Sequence, residues 1–381
     1  MIKDLYIARG PLCAFVAEGL CWGSFAALVP ALKRQAGLSD AGLGTALLIG
    51  AIVAFGAMWL APRLEPVLSR WMLPVLSGVM VAGFLLVGLA ESWLIFCLAM
   101  VIAPVGAGSC DVAMNARISV LEARHGRPLM NMAHGIFSLA YACAAMAGGL
   151  AREVGFGPFA VYSVIALIIA GLAVVMLAAP VSDQDDDAGA GHVPGLGWLG
   201  LLPFGLIVLI GFMTEQGTEG WSALHLERGH GAGAAEGALG PAILGLTMAF
   251  GRFSGQAVVM RFSESVVLRF AAMLAAVGAV VAAWGPGIAF GYAGFAMVGL
   301  GVSVVAPMAL AWAGRVTPAG QKAKAISRVA VMGYAGFFIG PPIMGFLAQG
   351  FGLSWSFTVI AGALLLVPLV LVPWGLRGAP R

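Results

Sequence analysis

Apolar residues fill twelve stretches of the chain, each long enough to cross a lipid bilayer as one helix. A spanning helix needs about 20 mostly apolar residues, and the polar breaks between these runs are short and rich in turn-forming residues. The pattern predicts an all-α integral membrane protein with twelve transmembrane helices. The predicted spans, numbered one to twelve, cover 11–32, 43–61, 72–90, 93–118, 128–151, 156–179, 198–224, 237–260, 269–285, 287–314, 324–348 and 353–374.

One break is longer than the others and divides the spans into two groups of six. It is acidic and rich in glycine, which predicts a flexible linker over 180–197. Two short motifs recur across it: "GFGPFAVYSVI" at 155–165 resembles "GFGLSWSFTVI" at 350–360, and "LSDAGLG" at 38–44 resembles "AAEGALG" at 234–240. The repeat predicts a duplicated six-helix unit, with one pseudo-symmetric bundle over 1–179 and a second over 198–381.

The amino-acid composition excludes several classes of function. Hydrophobic residues make up 61% of the chain and charged residues 10%, whereas soluble domains carry roughly 25% charged residues. The net charge of +3 is too small to favour a nucleic-acid partner. The sequence has no phosphate-binding GxxxxGK[ST] motif and no His/Cys cluster. We therefore expect a monomer in the bilayer that is not an enzyme, has no catalytic residue, metal or cofactor, and draws energy from an ion gradient.

Loop charge predicts the orientation. Twelve spans put both termini on one side, and that side carries most of the Lys and Arg residues. The opposite breaks hold only Lys33, Arg34, Arg152 and Arg228. Basic residues are retained on the cytoplasmic side of membrane proteins. We therefore predict a multi-pass protein of the bacterial cytoplasmic membrane, with both termini and the acidic linker in the cytoplasm.

A few ionisable residues interrupt the apolar spans, and each costs at least about 2.5–3.5 kcal/mol to insert. Span one contains Glu18, and span four contains Asp111 with Asn115 one turn later on the same face. Burial disfavours the charged form of a carboxyl group, and protonation can change the relative stability of two conformations. We predict that Asp111 and Glu18 couple transport to protons, although sodium coordinated by oxygen ligands remains an alternative.

Other polar and aromatic residues predict a solute site between the bundles. His134, Ser138 and Tyr141 form one stripe on span five, and Glu215 and Glu219 are four residues apart on span seven. Such stripes face a bundle interior rather than lipid. The residues predicted to bind the solute are Asn115, His134, Trp22, Trp221, Glu215, Glu219, Tyr141, Tyr334 and Trp312.

Structural roles compete with these assignments. Asp111 could instead form an ion pair with Arg117 or with an arginine on another helix. Arg252 and Arg328 lie near span ends and are expected to snorkel or to pair structurally. Gly106 and Gly108 are expected to let span four pack closely against a neighbour.

Several motifs resemble the major facilitator superfamily, and more narrowly the fucose permease group of proton-linked sugar symporters and the small bacterial permeases related to it. The similar stretches are "GSFAALVPALKRQAGLSDAGLG" at 23–44, "DVAMNA" at 111–116, "RPLMNMAHGIFSLA" at 127–140, "EGWSALHL" at 219–226 and "GYAGFFIGPPIMGFLA" at 333–348. The resemblance implies that acidic residues in spans one and four, Glu18 and Asp111 here, serve proton coupling and sugar recognition. The loop "APRLEPVLSRW" at 61–71 departs from the superfamily pattern, with Glu65 at the acidic position.

Together these features predict uptake of a small polar solute, sugar-like in the first instance, by proton-coupled alternating access. A proton-antiport exporter of drugs or metabolites is the first alternative, since a cavity with carboxylates and methionines suits cationic amphiphiles. A receptor or assembly factor that uses the same bundle without moving a solute is the second.

Overall fold

Twelve long helices account for nearly all of the computed structural model, which describes residues 2–179, 197–259, 261–318 and 321–378. A short helix, Ile2–Ile7, precedes them. The long helices are α1 Arg9–Gln35, α2 Asp40–Leu68, α3 Met72–Leu89, α4 Trp93–His125, α5 Met130–Glu153, α6 Pro158–Ala178, α7 Trp198–His230, α8 Ala234–Val259, α9 Glu264–Trp284, α10 Ile288–Val316, α11 Lys322–Phe351 and α12, which starts as Leu353–Leu366 and continues to Gly378. The described residues contain no strand, and the predicted linker, apart from Gly197, lies outside them.

These helices match the predicted spans in number and order. α2 and α3 form one nearly continuous helical stretch over 40–89, joined by a single 3₁₀ turn at Ser69–Trp71. Because these two helices count as one stretch, the described chain has eleven helices long and apolar enough to cross a membrane. Many large apolar side chains point away from the bundle; Leu167 and Phe270 each expose 76% of their surface. Such an apolar exterior suits lipid and not water.

The two halves of the molecule meet through equivalent helices. α2 packs against α11, and α5 packs against α8, so the second helix of each half contacts the fifth helix of the other. α1 also contacts α7 and α8. This pairing of equivalent helices across the two halves follows the internal repeat in the sequence. A space remains between the halves at the centre of the bundle.

Glycines set the position of α4, as the sequence predicted. A Cβ atom at Gly106 would lie 2.3 Å from the backbone nitrogen of Met80 on α3, and one at Gly108 would lie 2.5 Å from the carbonyl oxygen of Ala54 on α2. No larger side chain fits at either contact. α4 is therefore held close to both neighbours, and this contact fixes the direction in which Asp111 projects.

Ion pairs tie the halves together on one face of the bundle. An even number of crossings puts both chain ends on the same face, here named the terminal face, and the opposite face is named the far face. On the far face, Asp40 pairs with Lys33 at 2.7 Å and with Arg228 of the other half at 2.9 Å. Nearby, Glu227 pairs with Arg152 of the other half at 2.8 Å.

The pairs near the terminal face each stay within one half. They join Arg117 to Glu65, Arg127 to Asp4, and Arg315 to Glu264. In the part of the chain that the structure describes, no ion pair links the halves there. The structure is thus a conformation in which the far face is closed by charged contacts between the halves.

Arg117 does not pair with Asp111. Its guanidinium donates to Glu65 Oε1 at 2.7 Å and to the carbonyl oxygen of Ser69 at 2.7 Å, so it joins α4 to the end of α2. The side chain of Arg117 is only 8% exposed. The alternative in which Asp111 neutralises Arg117 is therefore wrong for this conformation, and Glu65 holds the acidic position of the loop motif.

Replacing Arg117 with methionine should destabilise the fold, because it leaves Glu65 as a partly buried charge without its partner. Breaking such a pair from one side costs about 3 kcal/mol or more. We expect a lower thermal unfolding midpoint of the detergent-purified protein, and partial recovery in the double variant Arg117→Met/Glu65→Gln. An unchanged midpoint in Arg117→Met would show that the pair contributes nothing.

Candidate functional site

A cavity of about 590 Å³ lies between the two halves, from the middle of the bundle toward the terminal face. Seven helices line it: α1, α2, α4 and α5 from the first half, and α7, α8 and α11 from the second. Its volume falls in the range of roughly 300–1,000 Å³ that is usual for small-molecule sites. The position between two halves is where a solute could contact both at once.

Most of the residues predicted for the site line this cavity. They are Glu18, Trp22, Asp111, Asn115, His134, Glu215, Glu219 and Tyr334. The sequence located them because each is polar or aromatic within an apolar helix. The structure brings them together from five helices that are far apart in the chain.

Three predicted residues lie elsewhere. Trp221 is fully buried and does not line the cavity, because it projects from another side of α7 than Glu219 two residues earlier. Trp312 packs edge-on against Phe204 at a centroid distance of 5.0 Å, inside the second half. Tyr141 lies buried in the α5–α8 contact, where its ring fills the space beside Gly245. In the α5 stripe, His134 therefore lines the cavity, whereas Tyr141, two turns later, lies in the interface between the halves.

The first half contributes a pair of carboxyl groups, Glu18 and Asp111, that lie close enough to repel each other when both are ionised. Asn115 uses both of its amide hydrogens on Asp111: one bonds the side-chain Oδ1 at 2.9 Å and the other the backbone oxygen at 2.8 Å. Glu18 is 9% exposed, and its Oε2 atom is buried without a hydrogen-bond partner. Neither carboxyl group has a cationic partner among the described residues.

The second half contributes a different arrangement, in which an arginine is present. Arg252 pairs with Glu215 at 3.0 Å and also donates to the hydroxyl group of Ser138, across the boundary between the halves. Glu219 accepts a long hydrogen bond of 3.3 Å from Gln216 and lies within the electrostatic influence of Arg252. Arg252 was expected to be structural; it does pair, but on the cavity wall. Arg328 lies over the ring of Trp198 at 5.1 Å, away from the cavity.

Aromatic rings form much of the remaining wall. Phe212 stacks on Phe337 with centroids 4.7 Å apart, and Tyr334 lies 5.7 Å from Phe212 and 6.2 Å from Phe55. Phe338 contacts Phe55 edge-on at 5.6 Å. These phenylalanines were not predicted as lining residues, since an apolar ring in an apolar helix does not stand out. The rings join α2 of one half to α7 and α11 of the other.

Twelve membrane-length helices, in two six-helix halves with a polar cavity between them, are an arrangement that multi-pass transporters use. The family profile described as Major Facilitator Superfamily matches residues 204–381. An uncharacterized MFS-type transporter of Yersinia pestis is 29% identical over 366 residues, covering 93% of this chain and 92% of that protein. Membrane protein MosC of Rhizobium meliloti is 28% identical over 344 residues, covering 89% of this chain and 83% of that protein. The chain is thus similar to the major facilitator superfamily: its second half matches the family profile, and most of its length resembles an MFS-type transporter.

Solved structures share this fold at low sequence identity. A D-xylose-proton symporter superposes with a TM-score of 0.75 at 13% identity, with 97% of each chain covered. The Escherichia coli fucose:proton symporter superposes with a TM-score of 0.61 at 18% identity, covering 99% of this chain and all of that one. At such identities the likeness concerns the fold and not the substrate.

Proposed function

We propose that the protein is a proton-coupled secondary active transporter that moves a small polar solute by alternating access across a bacterial cytoplasmic membrane. One observation carries this proposal: two neighbouring carboxyl groups, Glu18 and Asp111, line a cavity between the halves and have no cationic partner among the described residues. An uncompensated buried charge is costly, so proton binding relieves it. Asp111 is the main proton carrier and Glu18 assists.

The ion pairs suggest how the cycle would run. Contacts of Asp40 and Glu227 hold the far face closed, while the described pairs near the terminal face leave the two halves unlinked. With both termini in the cytoplasm, as loop charge favours, this is an inward-facing conformation. Rocking of the halves would break the far-face pairs and expose the cavity to the other side. Differential proton binding then biases the two conformations.

A sugar-like solute is the first candidate for import. The motifs resemble the fucose permease group, and two proton-linked sugar symporters have the same fold. The proton gradient would supply the energy, with no cofactor, and a monomer in the bilayer would suffice. Sodium would compete for the role of coupling ion if the oxygens of Asp111, Asn115 and Glu18 converged on it.

Proton-antiport export is the second candidate, and the acidic and aromatic lining favours it. Four carboxyl groups and eight aromatic rings line the cavity. Such a surface suits an organic cation that exchanges for protons. The two candidates share a site and a coupling ion, and they differ in the direction in which protons and solute move.

Reconstituted vesicles test the proposal and separate the candidates. Proteoliposomes in weakly buffered potassium medium are given D-xylose, L-fucose or tetraphenylphosphonium, and the external pH is recorded. Symport predicts that an added sugar makes the medium more alkaline, whereas antiport predicts the opposite proton flow with the cation. Solute uptake that requires sodium in place of potassium, without a change in the external pH, would identify sodium as the coupling ion. Absence of solute and proton flux with all three would contradict both candidates and favour a receptor role.

A further inference from the structure

The cavity has an excess of acidic groups that its own basic groups do not balance. Glu18, Asp111, Glu215 and Glu219 line it, against Arg252 as the one arginine or lysine among the described lining residues. Arg252 is already engaged, because it binds Glu215 at 3.0 Å and the hydroxyl group of Ser138. Even a protonated His134 would leave acidic groups in the majority. An anionic solute would therefore find no unengaged arginine or lysine in the lining.

The amide groups of the lining are largely engaged as donors, although Trp22, His134 and Tyr334 also carry groups that can donate. Both amide hydrogens of Asn115 are used on Asp111, so its side chain offers only an acceptor oxygen. The amide of Gln216 already donates to Glu219. Each hydroxyl group of a neutral polyol both donates and accepts and needs both kinds of partner, whereas an ammonium group has three donors and no acceptor. The carboxylate oxygens of the lining match the ammonium group.

Glu219 is the best placed of these carboxyl groups to hold a cation. It has no ion pair among the described residues, and its one side-chain hydrogen bond is long at 3.3 Å. Phe212 precedes it by seven residues on the same face of α7. Phe212 stacks on Phe337 and lies near Tyr334, so a carboxyl group and a group of aromatic faces border the same space. Aromatic faces attract cations, most strongly where water is excluded.

We propose that the transported solute is an organic amine with a ring, whose ammonium group binds Glu219 while its ring packs against Phe212, Tyr334 and Phe337. The inference rests on the proposed transport function and specifies its substrate class. Glu18 and Asp111 remain the proton site in the other half of the cavity. Substrate charge and coupling protons are thus held by separate carboxyl groups.

Two matched series of compounds test this proposal on the purified protein. One is D-glucosamine, D-glucose and D-glucuronate; the other is tyramine, tyrosol and 4-hydroxyphenylacetate. Within each series the skeleton is held nearly constant and the charge changes from positive to neutral to negative. We expect the amine of at least one series to raise the unfolding midpoint by about 2 °C or more near saturation. Stabilisation by a neutral or acidic member alone, or by no member of either series, overturns the proposal.

A pair of isosteric variants locates the site. Glu219→Gln should weaken binding of the stabilising amine by about tenfold or more, because a charge-assisted hydrogen bond is lost. Glu91→Gln, an exposed position in the α3–α4 loop, is the matched control and should bind the amine as the parent does. Equal amine affinity of the Glu219→Gln variant and the parent contradicts the assignment of Glu219.

Vesicle measurements separate the failure of this inference from the failure of the proposed function. If a neutral member binds and carries protons with it, transport stands and the amine assignment falls. If the amine binds and exchanges across the membrane without any proton movement, the amine assignment stands and proton coupling falls.

Discussion

Asp111→Asn is expected to abolish accumulation of solute against its gradient, with internal solute falling to the equilibrium level. The substitution keeps the size of the side chain and an oxygen that can accept from Asn115, but it removes the group that binds and releases a proton. Without that step the proton gradient has no means of biasing the two conformations. The measurement is uptake of labelled solute into proteoliposomes under an imposed pH gradient.

The same variant should retain solute binding and exchange of solute without a gradient. Those steps need the cavity and its conformational change, and neither depends on net proton transfer. Glu91→Gln serves as the control for removal of an acidic group and should accumulate solute normally. Accumulation at the parent level in Asp111→Asn would refute the assignment of Asp111 as the proton carrier.

The second large effect is expected at Gly44, where α2 touches α11 of the other half near the far face. A Cβ atom there would lie 2.6 Å from the carbonyl oxygen of Pro341, and backbone cannot move aside as a side chain can. Gly44→Leu should therefore prevent the halves from closing, even though the Asp40 ion pairs remain available. Overpacking costs about 1–3 kcal/mol, which shifts the equilibrium toward the far-face-open form by roughly 5- to 150-fold.

Thiol labelling reports this shift. A cysteine at Leu47, which lines the cavity one turn deeper than Gly44, should be protected from a membrane-impermeant reagent applied to the far face. Adding Gly44→Leu should make it reactive and should stop the transport cycle. Gly56→Leu on the same helix is the matched control, because a Cβ atom at Gly56 meets nothing within 4 Å. Equal labelling in the Gly44 and Gly56 variants would show that this contact does not control closure.

Hydropathy predicted the helices but not where they end. α7 was predicted to stop at 224 and continues to His230, and α2 continues past the predicted 61 through Pro62 and Pro66 to Leu68. Hydropathy marks the lipid-facing part of a helix, while the hydrogen-bonded backbone extends into polar surroundings. The polar end of α7 carries Glu227 and Arg228, and their ion pairs with the other half were therefore not predicted from the sequence.

The candidate site was predictable only where polarity made a residue stand out. Glu18 and Asp111 are conspicuous in apolar helices, and both line the cavity. Trp221 and Trp312 were equally conspicuous, yet Trp221 is buried away from the cavity and Trp312 packs against Phe204 inside the second half. A helix that is apolar all round gives little indication of which side faces a cavity. The contact of Arg252 with Ser138 depends on how α5 meets α8, which one sequence does not reveal.

Proton-coupled transport depends most on Glu18 and Asp111 as groups that bind protons within the membrane. Carbodiimide labelling tests whether they do so, and it needs no knowledge of the solute. Dicyclohexylcarbodiimide reacts with protonated carboxyl groups in apolar surroundings, and mass spectrometry locates the adduct. We expect modification of Glu18 or Asp111 that declines as the pH is raised, with Glu91 unmodified throughout because it is exposed to water. Absence of any adduct on either residue at every pH at which the protein stays folded would contradict the account.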